Sequence, residues 1–286
     1  MTSTAIALVL LSALLHAVWN FFGKGSNDRW AFFFAQSLVM VFLYAPLLLW
    51  RWPRGGIPAA GWLWIAASAV THGAYAFYLL KAYDAGDLSV AYPLSRTAPL
   101  LLAIWDLLTA PGALKAGGVA GALLAGIGAL TLQVPALRAR GVRAVLADRV
   151  TRYSLITAVF IAVFTVIDKQ GVTEVEPLVF MFLIIAGEFL LVGWQLGRTA
   201  PARIARELRG NGRAVVFTAI MGPFSYLLIL WVLASAPASY VLGLRQTSIV
   251  FGVLLGHFLL REAETRYRLA GAVIIAGGSI LIAAAG

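Results

Sequence analysis

Ser12-Ala-Leu-Leu-His-Ala-Val-Trp-Asn-Phe-Phe-Gly-Lys24 lies over Thr157-Ala-Val-Phe-Ile-Ala-Val-Phe-Thr-Val-Ile-Asp-Lys169 without a gap. Ala13, Ala17, Val18 and Lys24 coincide with Ala158, Ala162, Val163 and Lys169. Further along, Tyr92…Arg96-Thr97 corresponds to Tyr240…Arg245-Gln-Thr247, with one residue slipped. Near the end of each copy, Ala120-Gly-Ala-Leu-Leu-Ala-Gly-Ile-Gly128 lies over Ala270-Gly-Ala-Val-Ile-Ile-Ala-Gly-Gly278. Apolar helices resemble one another by composition, so a single match means little. Three matches in one order, each about 145–150 residues apart, read as a duplicated unit.

What is duplicated is a set of apolar segments. Of 286 residues, 61% are hydrophobic and 12% charged, about half the charged fraction of a soluble domain. One aqueous core of this size cannot hide so much apolar surface, so lipid is its solvent. A bilayer core about 30 Å thick takes about 20 apolar residues per helix. Spans are expected near Ser3–Phe22, Trp30–Trp50, Trp62–Ala82, Leu88–Leu108 and Gly117–Val134. A polar stretch, Arg138 to Arg152, follows. The remaining spans are Tyr153–Ile167, Pro177–Leu196, Ala214–Leu233, Ser239–Leu259 and Leu269–Ala285. Trp30, Trp50, Trp52, Trp62 and Trp194 fall near helix ends, where aromatic belts sit. Met1–Phe22 has no basic n-region, and its apolar run is long enough to remain as a helix.

The expected fold is therefore all-α integral membrane, with ten transmembrane helices as two inverted five-helix repeats. The first repeat covers residues 1–135, a basic connecting loop 136–152, and the second repeat 153–286. With an odd number of helices per repeat, the second copy enters the membrane upside down. That is the arrangement of secondary transporters, whose substrate site lies near the midplane between the halves.

Charged and polar groups at bilayer depth usually face a cavity. Ser12, His16, Trp19, Asn20 and Gly23 form one stripe on the first helix. Ser68, His72, Tyr75 and Leu79 form another on the third. On the fourth, Tyr92, Arg96, Pro99, Ala103 and Asp106 share a face, and Pro93 and Pro99 each remove a backbone donor. Such breaks survive in a membrane only where protein or water satisfies the freed carbonyls. Arg245 occupies the related place in the ninth helix, with Tyr240 before it. The eighth carries Thr218, Gly222, Ser225 and Ile229 with a Gly222-Pro223 break and Tyr226 beside them. The sixth offers Thr157, Ile161, Thr165 and Asp168. Glu188 is mid-span in the seventh, where structural pairing is the expectation. The candidate substrate-binding residues are Arg96, Tyr92, His16, Asn20, Trp19, His72, Tyr75, Arg245, Tyr240 and Ser225. The rival reading makes the same groups helix-to-helix bridges or snorkelling side chains.

The stretches Leu15-His-Ala-Val-Trp-Asn-Phe-Phe-Gly-Lys24 and Ala91-Tyr-Pro-Leu-Ser-Arg-Thr-Ala-Pro99, with the Gly-rich ends of both repeats, carry a resemblance over essentially the whole chain. They resemble the ten-helix EamA-type members of the drug/metabolite transporter superfamily. The resemblance implies a basket of ten helices, with helices one, three, four, six, eight and nine lining the path. It implies substrates such as amino acids, sugars, nucleotide sugars, phosphorylated compounds or drugs. Two departures stand out. Where a Gly-Glu often closes the ninth helix, this chain has Gly256-His257. Where related four-helix exporters carry a first-helix Glu eight residues before a Lys, it has His16, which speaks against a coupling carboxylate in that helix.

The expected function is secondary-active transport of a small metabolite by alternating access. An organic anion or zwitterion is expected, such as an amino acid or a phosphorylated or phosphonate compound, because guanidinium offers a planar donor fork. The alternatives are a multi-pass membrane enzyme or an exporter of cationic drugs. The enzyme reading lacks a Gly-x-Ser-x-Gly elbow or a metal-binding His pair, and the chain has no cysteine. The expected partners are a small-molecule substrate and the lipid bilayer, with no cofactor and no nucleic acid, in a monomer or weak homodimer. The setting is a cell membrane of the bacterial inner-membrane type. A net charge of +10 sits mainly in loops after the fifth, seventh and ninth helices. Positive-inside logic puts those loops in the cytoplasm and both termini outside it, opposite to the usual family description.

Overall fold

A computed structural model gives the fold. It describes every residue except 24, 25, 27, 86–93, 111–113, 132–133, 261–265 and 286. The side chains of 20–23, 136, 194, 196, 256–260 and 268 also lie outside the described set. The described residues are helical throughout, with short connections and no strand. In chain order the helices are α1 (Ser3–Gly23), α2 (Arg29–Arg51), α3 (Ala59–Ala85), α4 (Ala98–Thr109) and α5 (Ala116–Thr131). Two short helices follow, α6 (Val134–Arg140) and α7 (Val142–Ala147). Then come α8 (Arg149–Glu174), α9 (Pro177–Gly193), α10 (Ala200–Leu233), α11 (Ala238–Arg245), α12 (Thr247–Leu260) and α13 (Arg266–Ala285).

Among the described residues, five helical stretches are long and apolar enough to cross a membrane: Arg29–Arg51, Ala59–Ala85, Arg149–Glu174, Gly197–Leu233 and Ala238–Leu255. Five shorter apolar helices accompany them: Ser3–Trp19, Ala98–Thr109, Ala116–Thr131, Pro177–Gly193 and Leu269–Ala285. The surface is inverted relative to a soluble protein. Leu49, Trp50, Leu108, Leu190 and Val273 are more than two-thirds exposed, while Ser12, His16, Ser68, His72 and Asp168 are buried. Large exposed aliphatic faces around a polar interior are what a hydrocarbon solvent permits. This is a membrane protein.

Two boundaries differ from the sequence expectation. The helix expected over Tyr153–Ile167 continues as α8 through Asp168 and Lys169 to Glu174. The charged pair ends the apolar run but not the helix, because both side chains find partners inside the protein. The helix expected from Ala214 begins at Ala200, with non-helical backbone at Asn211 separating an arginine-rich first segment from the apolar remainder. The polar stretch between the halves is also partly helical, as α6 and α7.

The most extensive packing is between α5 and α13, followed by α3 with α8 and α1 with α10. Glycine explains the first. A Cβ on Gly121 would lie 2.5 Å from the Gly278 carbonyl oxygen, and one on Gly128 would lie 2.9 Å from that of Gly271. Only hydrogen fits at such crossings, and helix backbones in membranes associate through such small-residue surfaces. The pairing 121 with 278 and 128 with 271 runs in opposite directions along the two helices, so α5 and α13 are antiparallel.

Candidate functional site

Two arginines sit at breaks in otherwise helical segments, and the breaks have one design. Pro99, in the first turn of α4, cannot donate to the Ser95 carbonyl, so a helix running through this stretch would be interrupted. The backbone turns at Arg96 and Thr97, where Thr97 Oγ1 donates to the Leu94 carbonyl at 2.9 Å. Between α11 and α12, Gln246 makes the turn and Thr247 Oγ1 donates to the Leu244 carbonyl at 2.8 Å. Leu-x-x-Thr is thus the common unit, and it pairs Arg96 with Gln246 and places Arg245 one residue earlier. The two positions meet: Gln246 Nε2 donates to the Arg96 carbonyl at 2.6 Å. That carbonyl is available because Leu100 N bonds to Thr97 O instead, at 3.0 Å.

Both guanidinium groups converge on His16 of α1, which is buried. Arg96 Nη2 lies 2.5 Å from Nε2 and Arg245 Nη2 lies 3.3 Å from Nδ1. The Trp19 ring meets the imidazole edge-on, with centroids 5.1 Å apart. Arginine has donors only, and a neutral imidazole accepts at one nitrogen and donates at the other. If Nε2 accepts from Arg96, the Nδ1 proton confronts Arg245, donor against donor. The cluster thus gathers two guanidinium groups, which only donate, around one imidazole. A cavity of about 20 Å³, lined by Ser95, Arg96, Ala98, Ile161, Leu242, Arg245 and Gln246, adjoins it. That is room for about one water.

A second cluster lies beside the first. Asp168 of α8, fully buried, accepts from Ser68 Oγ and the Tyr226 hydroxyl and faces His72 Nε2 at 3.0 Å. Tyr226 Oη is also 3.3 Å from His72 Nε2. The His72 ring stacks on Phe164 with centroids 3.9 Å apart, and Tyr75 meets both rings edge-on. Glu188 of α9 is buried within electrostatic reach of His72 and Tyr226 and has no ion pair among the described residues. The Arg245 guanidinium lies 5.7 Å from the Tyr226 ring centroid, which joins the two clusters.

Comparison with known proteins finds a likeness in the second part of the chain. Residues 152–284 match the EamA-like transporter family. The second half of the chain is an EamA-like transporter domain. This accords with the drug/metabolite transporter superfamily, a group of transporters rather than enzymes. Among curated proteins none matches the chain. Solved structures do match, 27 chains in all. One of them, described only as the crystal structure of a protein, is 16% identical over 99% of both chains, with a TM-score of 0.72. At that identity the likeness shows the fold alone.

The EamA-like domain contributes Arg245, Asp168 and Tyr226, while residues 1–151 contribute His16, Trp19, Ser68, His72 and Arg96. Of the residues expected at the site, the structure brings Arg96, Arg245, His16 and Trp19 together, and His72 and Tyr75 together. Asn20 and Tyr92 lie outside the described residues, for Asn20 by its side chain. Two expected residues are engaged elsewhere. The Tyr240 hydroxyl accepts from Lys115 N at 2.9 Å and donates to Lys115 O at 3.0 Å, pinned over Gly118 at the start of α5. Ser225 Oγ donates to the Ser12 carbonyl at 3.0 Å and Ser12 Oγ to the Ser225 carbonyl at 2.7 Å, a reciprocal clasp between α10 and α1. Asp106 accepts from Ser239 N at 2.8 Å, capping the start of α11. Asp168, which the sequence offers only as one of four positions on a face of the sixth helix, stands at the centre of the second cluster. Its signal was present: it lies seven residues, two helical turns, from Ile161 on one face of α8.

Proposed function

We propose that this protein is a secondary-active transporter that moves a small organic anion or zwitterion, such as an amino acid or a phosphorylated or phosphonate metabolite, by alternating access. One observation carries the reading: Arg96 and Arg245, each at a helix break, converge on the single buried imidazole of His16. Two guanidinium groups gathered at one place suit a carboxylate or phosphonate, whose oxygens accept from planar donor forks. Charge-assisted bonds of this kind are the strong ones. The site is built from both parts of the chain, as expected where repeats rock about a fixed centre.

The ten-span, inverted-repeat architecture, with halves at 1–135 and 153–286 joined by the basic loop 136–152, belongs to the same proposal. Its support is a self-consistent exchange. The sequence match equates Gly121 with Gly271 and Gly128 with Gly278, and swapping these partners turns the 121–278 contact into the 271–128 contact. The pairing of α1 with α10 is likewise matched by that of α8 with α3. The arginine-rich loops support an inner-membrane orientation with residues 138–152 and 198–213 in the cytoplasm.

The test is solute counterflow in proteoliposomes. Radiolabelled L-serine, glycerol 3-phosphate and methylphosphonate serve as probes, with tetraethylammonium as competitor. Saturable uptake of at least one probe, insensitive to tetraethylammonium, is the expected result. Competition by tetraethylammonium but not by carboxylates or phosphonates would overturn the anionic site and favour a cation exporter. Product formation without flux would favour a membrane enzyme.

A further inference from the structure

Resting on that transport reading, we propose that Asp168, clasped between α3 and α10, is a proton-binding site that couples solute movement to a proton gradient. The carboxylate is fully buried in the last third of α8 and is met by three side chains from two other helices: Ser68, His72 and Tyr226. The groups facing it are these three, with Glu188 of α9 beyond His72 and Arg245 of α11 above the Tyr226 ring. Oδ1 accepts from Ser68, while Oδ2 is met by both Tyr226 and His72 Nε2, so a proton added at Oδ2 lands on a contact already made. When a proton binds Asp168 Oδ2, the new O–H must point at Tyr226 Oη or His72 Nε2. One of the two contacts then reverses polarity. With the imidazole hydrogen on Nδ1 throughout, Tyr226 can become the acceptor and turn its own proton to His72 Nε2, 3.3 Å away.

Two consequences follow from the packing. Ser68 and His72 belong to the first half and Asp168 and Tyr226 to the second, so the proton changes how α3, α8 and α10 are held together. Tyr226 is also the ring against which Arg245 rests, so the change reaches the donor cluster through one contact. Asp168 and Ile161 share a face of α8, and Ile161 lines the small cavity beside Arg96 and Arg245. A buried acid, a hydroxyl, an imidazole and the solute-binding guanidinium thus form a contiguous chain. This is the physical requirement for linking two binding events.

Two measurements test this and separate it from the transport reading. Infrared pH titration of the purified protein needs no solute. A protonated-carboxyl band should grow on acidification in the wild type and in Glu188→Gln, and be lost in Asp168→Asn. A band unchanged in Asp168→Asn overturns the site. If Asp168→Asn does not assemble, Tyr226→Phe keeps the carboxyl and removes one partner. It should shift the midpoint of that band, and an unmoved midpoint overturns the site. In proteoliposomes carrying L-serine, glycerol 3-phosphate or methylphosphonate, Asp168→Asn should keep solute exchange but lose pH-gradient-driven accumulation at least tenfold. Full accumulation by Asp168→Asn sinks the coupling role. Absence of flux for every probe in the wild type sinks the transport reading instead, while the infrared band still decides whether Asp168 binds the proton.

Discussion

Helices α1 and α8 match in sequence, yet they carry opposite chemistry. The first places an imidazole between two guanidinium groups, and the second places a carboxylate among an imidazole, a phenol and a hydroxyl. Under the gapless match, His16 of α1 corresponds to Ile161 of α8, and Asp168 corresponds to Gly23. Their neighbours correspond better: Trp19 and Phe164 align, and each packs a ring against a histidine. The two matched helices thus share an aromatic neighbour to a histidine. Their charges differ: guanidinium groups gather at one cluster and a carboxylate at the other. A repeat therefore fixes where a side chain stands and leaves open what it does.

The sharpest way to break this division is to remove the donors. Arg96→Ala and Arg245→Ala should each reduce counterflow by about 100-fold, as loss of a charge-assisted bond of about 3 kcal/mol implies. Arg96→Lys keeps the charge but not the fork and should retain more. Because both arginines act through His16, the double variant should be little worse than either single one. Additive losses would mean that the two guanidiniums work at separate sites.

The histidines distinguish the clusters at smaller scale. His16→Gln should raise the half-saturating solute concentration about tenfold, equivalent to about 1.4 kcal/mol, and leave the pH profile of flux in place. His72→Gln should move that profile, since its imidazole faces Asp168. An unmoved profile in both variants would remove either histidine from proton handling.

The scaffold predictions concern stability. Gly121→Ala sets a methyl 2.5 Å from a backbone oxygen and should destabilise by about 1–3 kcal/mol in thermal melts. Gly128→Ala, the exchanged counterpart, should do nearly as much. Gly277→Ala meets nothing within 4 Å and should be neutral or mildly stabilising through helix propensity. Equal melting of Gly121→Ala and Gly277→Ala would refute the close crossing.

The smallest effect lies in the loop before α2. Arg203 holds Asp28 with two hydrogen bonds, 2.7 and 2.8 Å, which keep that carboxyl below its usual 3.8. A carboxyl depressed by folding binds its proton more readily when unfolded. The pair's contribution is therefore in place above the usual value and fades as pH falls through the folded one. Asp28→Asn should lower stability by about 0.5–1 kcal/mol at pH 7, discounted for solvent, and by less at pH 3, below the usual value. An equal difference at both pH values would show that the ion pair contributes nothing.

Much of this was legible in the chain. Hydropathy marked the apolar segments, matched stretches suggested corresponding positions, and Pro99, three residues after Arg96, marked a break. The same reading ended the sixth helix at Ile167, because an Asp-Lys pair looks like a boundary when only the apolar run is followed. Tyr240 looked like a site residue because it precedes Arg245, yet its hydroxyl is committed to Lys115.

The sequence by itself determined the solvent and the faces on which polar groups stand, since these depend on composition and on a periodicity of a few residues. Only the tertiary structure decided which faces meet. His16 is 80 residues from Arg96 and 229 from Arg245, and Asp168 is 100 from Ser68. No local pattern encodes such a meeting. It is set by how closely whole helices approach, as where the Gly121 and Gly278 backbones touch, and by which partners the buried polar groups must find once water is gone.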